Sequence, residues 1–215
     1  MPPGPRNPPI LEPPIRLAVC VSGGGTTLRN LVDRIAAGRL DASIVQVVAS
    51  KPEVGAIGRA DRAGIPVAVE VRGKRPLADF SASVFGPIRD RGADLVILGG
   101  FLCLVEIPPD YRGRGLNVHP SLIPAFAGKG FHGRAVHQAA LDAGVKLSGC
   151  TVHFADDTYD TGPIIAQTPV PVHDDDTPEA LAARVFQAES EALPEAIALY
   201  AAGRLHVRGR RVTIV

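Results

Sequence analysis

Residues 16–27 read Arg16-Leu17-Ala18-Val19-Cys20-Val21-Ser22-Gly23-Gly24-Gly25-Thr26-Thr27, and the fold class turns on them. From Leu17 to Val21 the residues are apolar without alternation, as expected of a strand covered on both faces. After the glycine-rich turn, Leu28, Leu31, Val32 and Ile35 fall at helical spacing, with Thr26 or Thr27 as the cap and Gly38 as the stop. A strand, a glycine turn and a helix in this order expose backbone N–H groups at the positive end of a helix dipole, where a phosphate can sit. A tight connection that merely needs positive φ would use the same glycines. The third glycine of a dinucleotide fingerprint falls on Leu28, and no Lys follows as in a Walker loop, so both of those readings lose ground.

The same rhythm continues outward. Strands are expected at Ile44–Ala49, Pro66–Val71 and Asp94–Leu98, separated by helices at Val54–Ala63 and Ala78–Arg91. Beyond them come a short strand Leu116–His119, a helix Ala135–Ala143, and paired strands Lys146–Phe154 and Ile164–Val172 joined by an acidic loop. Asp176-Thr177-Pro178-Glu179 opens a late helix that should run toward Pro194 and resume to Ala201. Arg204–Val215 should add one or two edge strands, with Arg204, Arg208, Arg210 and Arg211 solvated. The fold class is α/β: an open, mostly parallel twisted sheet with helices on both faces, Rossmann-like, turning antiparallel toward the C-terminal part. Residues 1–14 hold seven prolines and little that could form a core, so they are expected to be an extended or disordered tail before one domain over 15–215.

Composition narrows the function classes. Lys plus Arg number 23 against 22 Asp plus Glu, too balanced for nucleic-acid or anionic-membrane binding. No apolar run approaches the ~18 residues of a membrane span, and the amino terminus lacks secretory-signal order, which makes the cytoplasm the default. Cys20, Cys103 and Cys150 are odd in number and far apart, as expected of reduced thiols rather than a disulfide framework or zinc site.

Chemistry-bearing residues concentrate in two stretches. In Asn117-Val118-His119-Pro120, Asn117 and His119 project to one side of a strand, and Pro120 helps hold His119 extended. An amide and an imidazole converging at a strand end can cradle a developing oxyanion; a hydrogen-bonded core histidine beside a turn asparagine would look the same. In Gly149-Cys150-Thr151-Val152-His153-Phe154 and the loop that follows, Asp160 is delivered just before Gly162-Pro163. An Asp beside an imidazole raises its pKa and favours imidazolium. Asp156 and Asp157 read as turn or solvated residues.

Ser22–Thr27, Gly99-Gly100-Phe101-Leu102, Asn117–Pro124 and Gly149–Gly162 together resemble the phosphoribosylglycinamide formyltransferase family, over roughly residues 15–206. The resemblance implies a catalytic group of Asn117, His119 and Asp160. The substrate amine attacks the formyl carbon of 10-formyltetrahydrofolate directly, without a metal. It also implies that glycinamide ribonucleotide places its phosphate on Gly23, Gly24, Gly25, Thr26 and Thr27, with Arg75 reaching over it. Glu189 and Pro120 take its amine and ribose side, and Glu189 shares a helix face with Phe186 and Leu193. Formyl-folate, the co-substrate, lies on Phe101, Leu102, Cys103, Leu104 and Val105 and near Val152, His153 and Phe154. The partners are these small molecules, with no nucleic acid or membrane, in a monomer or homodimer.

Departures from the family pattern are Thr26-Thr27 in place of Ser-Asn, Cys103 in place of a polar residue, and a longer loop at Phe126–Arg134; His132 and His137 in that region receive no catalytic role. Rival activities on this scaffold are formyl-folate hydrolysis and transfer to aminoacylated tRNA or amino sugars, which usually come with a further domain. A non-enzymatic nucleotide-binding domain is the plainest alternative.

Overall fold

A computed structural model describes residues 9–215. Its elements run β1 (Ile15–Val21), α1 (Thr26–Ala36), β2 (Ala42–Ala49), α2 (Gly55–Arg62), β3 (Val67–Val69), α3 (Leu77–Asp90), β4 (Leu95–Leu98), β5 (Gly115–His119), α4 (Arg134–Asp142), β6 (Leu147–Phe154), β7 (Ile164–Pro171), α5 (Pro178–Ala201), β8 (Leu205–Arg208) and β9 (Arg211–Ile214). The strands form one sheet in the order β3-β2-β1-β4-β5-β6-β7-β9-β8. Strands β1 to β5 pair in parallel, β6 runs antiparallel to β5 and to β7, and β8 runs antiparallel to β9.

The sheet is covered on both sides, which explains the unbroken apolar runs. Leu17, Val19 and Val21 of β1 join the core shared with α1, α2, α4 and α5, while Ala18 and Cys20 join the core under α3. Burial pushes the Cys20 thiol up to about 12 and that of Cys150 up to about 11, so both remain protonated and behave as small apolar side chains. Strand order reverses at β1, flanked by β2 and β4. The crevice beyond the carboxyl ends of β1 and β4 is therefore where an open α/β sheet takes its ligand.

Two expectations change, and the proline-rich stretch gains a contact. No threonine side chain caps α1: its N-cap is Gly25, at φ 74°, and the cap position makes no side-chain hydrogen bond. A Cβ there would lie 2.7 Å from Ala56 Cβ, so close packing on α2 selects glycine over a capping hydroxyl. Helix α5 does not pause at Pro194. Leu193, Pro194, Ala196, Ile197 and Tyr200 are all buried, and this packing outweighs the ~3 kcal/mol cost of an interior proline. Its start is as expected, with Thr177 accepting from the Ala180 N–H at 3.2 Å and Pro178 following. Finally, the described part of the proline-rich stretch is docked: Ile10 bridges Ala202, and the Leu11 N–H donates to Ala201 O at 2.9 Å. Residues 1–8 lie outside the described residues.

Candidate active site

The glycine turn after β1 forms one wall of the crevice. Its carbonyls are engaged on the far side: Gly23 O accepts from the Ala56 N–H at 3.2 Å, Gly24 O from Arg59 Nε at 2.8 Å, and Gly25 O from the Arg29 N–H at 3.0 Å. Among the described residues the N–H groups of Gly24, Gly25, Thr26, Thr27 and Leu28 have no partner. Unpaired donors at the start of an uncapped helix are what an anion requires. Buried Ser22 fastens the turn to the loop after β4: its hydroxyl accepts from the Leu102 N–H at 2.8 Å and meets Ser50 Oγ at 2.6 Å.

Strand β5 delivers Asn117 and His119 to the same crevice. Pairing with β6 sets Asn117 opposite His153 and His119 opposite Thr151. Buried Thr151 anchors the segment after His119, donating to Ser121 O at 2.7 Å and accepting from the Ile123 N–H at 3.0 Å. Asp160, at φ 56°, turns back toward these residues. Its Oδ1 accepts from Asn117 Nδ2 at 3.2 Å, and its Oδ2 accepts from the Gly128 N–H at 2.8 Å and lies 3.4 Å from His119 Nδ1. The expected trio is thus gathered at one place.

A fourth member is His153. Its Nδ1–H donates to Phe154 O at 2.8 Å, which leaves Nε2 as an acceptor 3.1 Å from Asn117 Nδ2. The resemblance gives His153 to folate; its cross-strand position opposite Asn117 also makes it a partner of the amide. Gly162 matters for the same reason. A Cβ at that position would stand 1.7 Å from Phe154 O, the atom that orients His153. Gly162→Ala is expected to cost about 2–3 kcal/mol of stability and to lower kcat by at least tenfold. Urea unfolding and steady-state kinetics would check both.

Electrostatics correct another expectation. Burial lowers the His119 pKa below 6.5, and the opposing pull of Asp160 and of the Phe126 carbonyl does not recover it. His119 is therefore neutral at pH 7, with Nε2–H donating to Phe126 O at 2.9 Å and the Nδ1 lone pair toward Asp160. Desolvation would raise Asp160, yet the nearby imidazoles of His153 and His119 and the Gly128 N–H bring it below 3.8, so it is a carboxylate. Glu189 on α5 has no partner among the described residues, and desolvation alone lifts it to about 8.

These groups line a cavity of about 730 Å³. Its wall includes Gly23–Thr27, Phe101–Val105, Asn117, His119, Pro120, His153, Asp160, Phe186 and Glu189, together with the loop Gly128–Gly133. The N–H groups of Cys103, Leu104 and Val105, residues that line this cavity, have no hydrogen-bond partner among the described residues. Three residues are not brought in. Val152 and Phe154 point into the core on the opposite face of β6 from His153. Arg75 is committed elsewhere, to Glu70 Oε2 at 3.2 Å, to Ser83 Oγ at 3.0 Å and across the Phe80 ring. Among the described residues no group of three or more His, Cys, Asp or Glu could hold a metal ion, and no helix is long and apolar enough to cross a membrane.

An open α/β sheet with a glycine turn of unpaired N–H groups and an Asn-His-Asp cluster at its carboxyl edge suits a group-transfer enzyme. Residues 15–197 match the formyl transferase family model. A phosphoribosylglycinamide formyltransferase from Arabidopsis thaliana, named as chloroplastic, is 38% identical over 93% of this chain and 70% of its own length. The trifunctional purine biosynthetic protein adenosine-3 of Gallus gallus is 38% identical over 90% of this chain, which spans only 19% of that protein. The crystal structure of glycinamide ribonucleotide transformylase 1 from Symbiobacterium toebii superposes with a TM-score of 0.84 at 39% identity, covering 94% of each chain. The chain belongs to the formyl transferase family.

Proposed function

We propose that this chain transfers the formyl group of 10-formyltetrahydrofolate to the amine of glycinamide ribonucleotide, a step of purine biosynthesis, by direct attack within the cavity. The observation that carries the proposal is the gathering of Asn117 and His119 around Asp160, at 3.2 and 3.4 Å from its two oxygens, in the same cavity as a turn whose five N–H groups have no partner among the described residues. The phosphate sits on that turn, the amine end lies toward Glu189, and the folate ring rests on Phe101–Val105. Arg75 would join the phosphate only by leaving Glu70.

The amine nitrogen adds to the formyl carbon, and the carbonyl oxygen gains negative charge. Both Nδ2 hydrogens of Asn117 are engaged in the ligand-free site, and the 3.2 Å bond to Asp160 is the longer of the two. When Asp160 accepts the proton released by the amine, it stops attracting that hydrogen, which turns to the oxyanion. His119, with Nδ1 already facing Asp160, shares the proton and becomes an imidazolium beside the same oxygen. The proton then passes to the folate nitrogen as its bond to carbon breaks. A C–N bond is made, another is lost, and the leaving nitrogen departs protonated. The site is assigned to the cytosol, a placement supported by three unpaired cysteines.

His119→Ala is expected to lower turnover by about two to three orders of magnitude while leaving the binding of both substrates in place. The assay follows release of deformylated folate with and without glycinamide ribonucleotide. Release that requires the amine supports transfer, release without it means hydrolysis, and none in the unmodified protein removes the proposal.

A further inference from the structure

Arg59 of α2 is absent from the cavity wall, yet its guanidinium reaches the turn that forms it. Nε donates to Gly24 O at 2.8 Å. The Gly24–Gly25 bond is not among the cis peptides, so its carbonyl and its N–H point in opposite directions. Holding the carbonyl toward α2 therefore aims the Gly25 N–H into the cavity. The Ala56 N–H does the same for the Gly24 N–H by holding Gly23 O at 3.2 Å.

The Gly24–Gly25 peptide needs such a hold. A Cβ at Gly24 would meet nothing within 4 Å, so local packing does not restrain that side of the peptide. Glycines on both sides leave both peptide orientations open. In the flipped orientation a carbonyl oxygen would face the anion in place of a donor. A permanently charged guanidinium on the carbonyl prevents this, polarises the amide so that its N–H donates more strongly, and adds positive charge behind the pocket.

We infer that Arg59 is a positioning residue for the substrate phosphate: it locks the Gly24–Gly25 peptide with its N–H toward the anion, without touching substrate itself. This rests on the reading that the ribonucleotide phosphate occupies the turn. By the strength of a charge-assisted hydrogen bond, Arg59→Ala should raise KM for glycinamide ribonucleotide about tenfold. The values of kcat and of KM for formyl-folate should stay within about twofold, as expected when only ground-state phosphate binding is lost. Arg59→Lys should recover most of the loss, because the ammonium can still donate to Gly24 O.

The test pairs these kinetics with competition by inorganic phosphate against the ribonucleotide, and with the dephosphorylated nucleoside as an alternative substrate. The expected result is that phosphate competes in the unmodified protein, competes about tenfold more weakly in Arg59→Ala, and that the two proteins handle the nucleoside alike. Should phosphate compete equally in both proteins with KM unchanged, the role of Arg59 is overturned and the phosphate site stands. A phosphate that never competes with the unmodified protein removes the phosphate site and the inference with it. Equal losses on nucleoside and nucleotide, in Arg59→Ala or, should that variant not fold, in Arg59→Gln, would reduce Arg59 to a structural residue and also overturn it.

Discussion

Replacing Asp160 with Asn is expected to lower kcat by about three orders of magnitude, through loss of both the proton acceptor and the charge beside His119. The side chain is nearly buried, at 9% exposure, and its two oxygens touch His119, Asn117 and the Gly128 N–H. Asn has the same shape and tolerates the left-handed backbone that Asp160 adopts at φ 56°, so the fold should persist. An amide cannot receive the amine's proton, and its NH₂ would face either the Asn117 amide or the Gly128 N–H, donor against donor. Thermal unfolding should change little while single-turnover formyl transfer nearly stops. A loss below tenfold would show that Asp160 is not part of the chemistry.

Glu189→Gln is expected to stabilise the ligand-free protein at pH 8 by about 3–5 kcal/mol and to weaken binding of the ribonucleotide amine. Desolvation raises this carboxyl to about 8 from an ordinary 4.5, so between those values the folded state holds a proton that the unfolded state has released. Stability therefore declines as pH rises from 4.5 toward 8 and levels off above it. Gln carries no such proton, and the difference between the two proteins should grow over that window. Urea unfolding from pH 4 to 9 would show it. Parallel curves across the window would mean that Glu189 ionises freely and that the cavity is wetter there than its burial implies.

A carboxyl that burial keeps uncharged also suits the proposed use. A substrate ammonium brought to Glu189 would restore the carboxylate, so the protein holds a less stable group in reserve for its ligand.

Much of the fold was legible along the chain because it rests on local periodicity. All the expected strands and helices are present within about four residues of their expected ends, since an apolar run bounded by Gly or Pro has few alternatives in a doubly covered sheet. That Asn117, His119 and Asp160 lie together was also legible, the first two from strand alternation and Asp160 from the family resemblance. What failed depended on partners distant in sequence. Thr26 and Thr27 looked like caps until Ala56 of another helix took the space beside Gly25. The bond between His153 and the Asn117 amide gave no signal, because a residue's neighbour across the sheet is set by the β5–β6 register, which no single strand encodes. Arg59 gave no signal at all, being an ordinary helical arginine until the turn 35 residues earlier comes under its guanidinium.

The sequence by itself determined the order of elements, the parallel sheet, and the residue types available at its carboxyl edge, because these follow from side-chain period and from what a glycine or proline permits. Only the tertiary structure decided which way burial shifts His119 and Glu189 and how the peptides of the glycine turn are oriented. Protonation depends on how far a group is removed from water and what faces it, and peptide orientation depends on which distant donor holds the carbonyl.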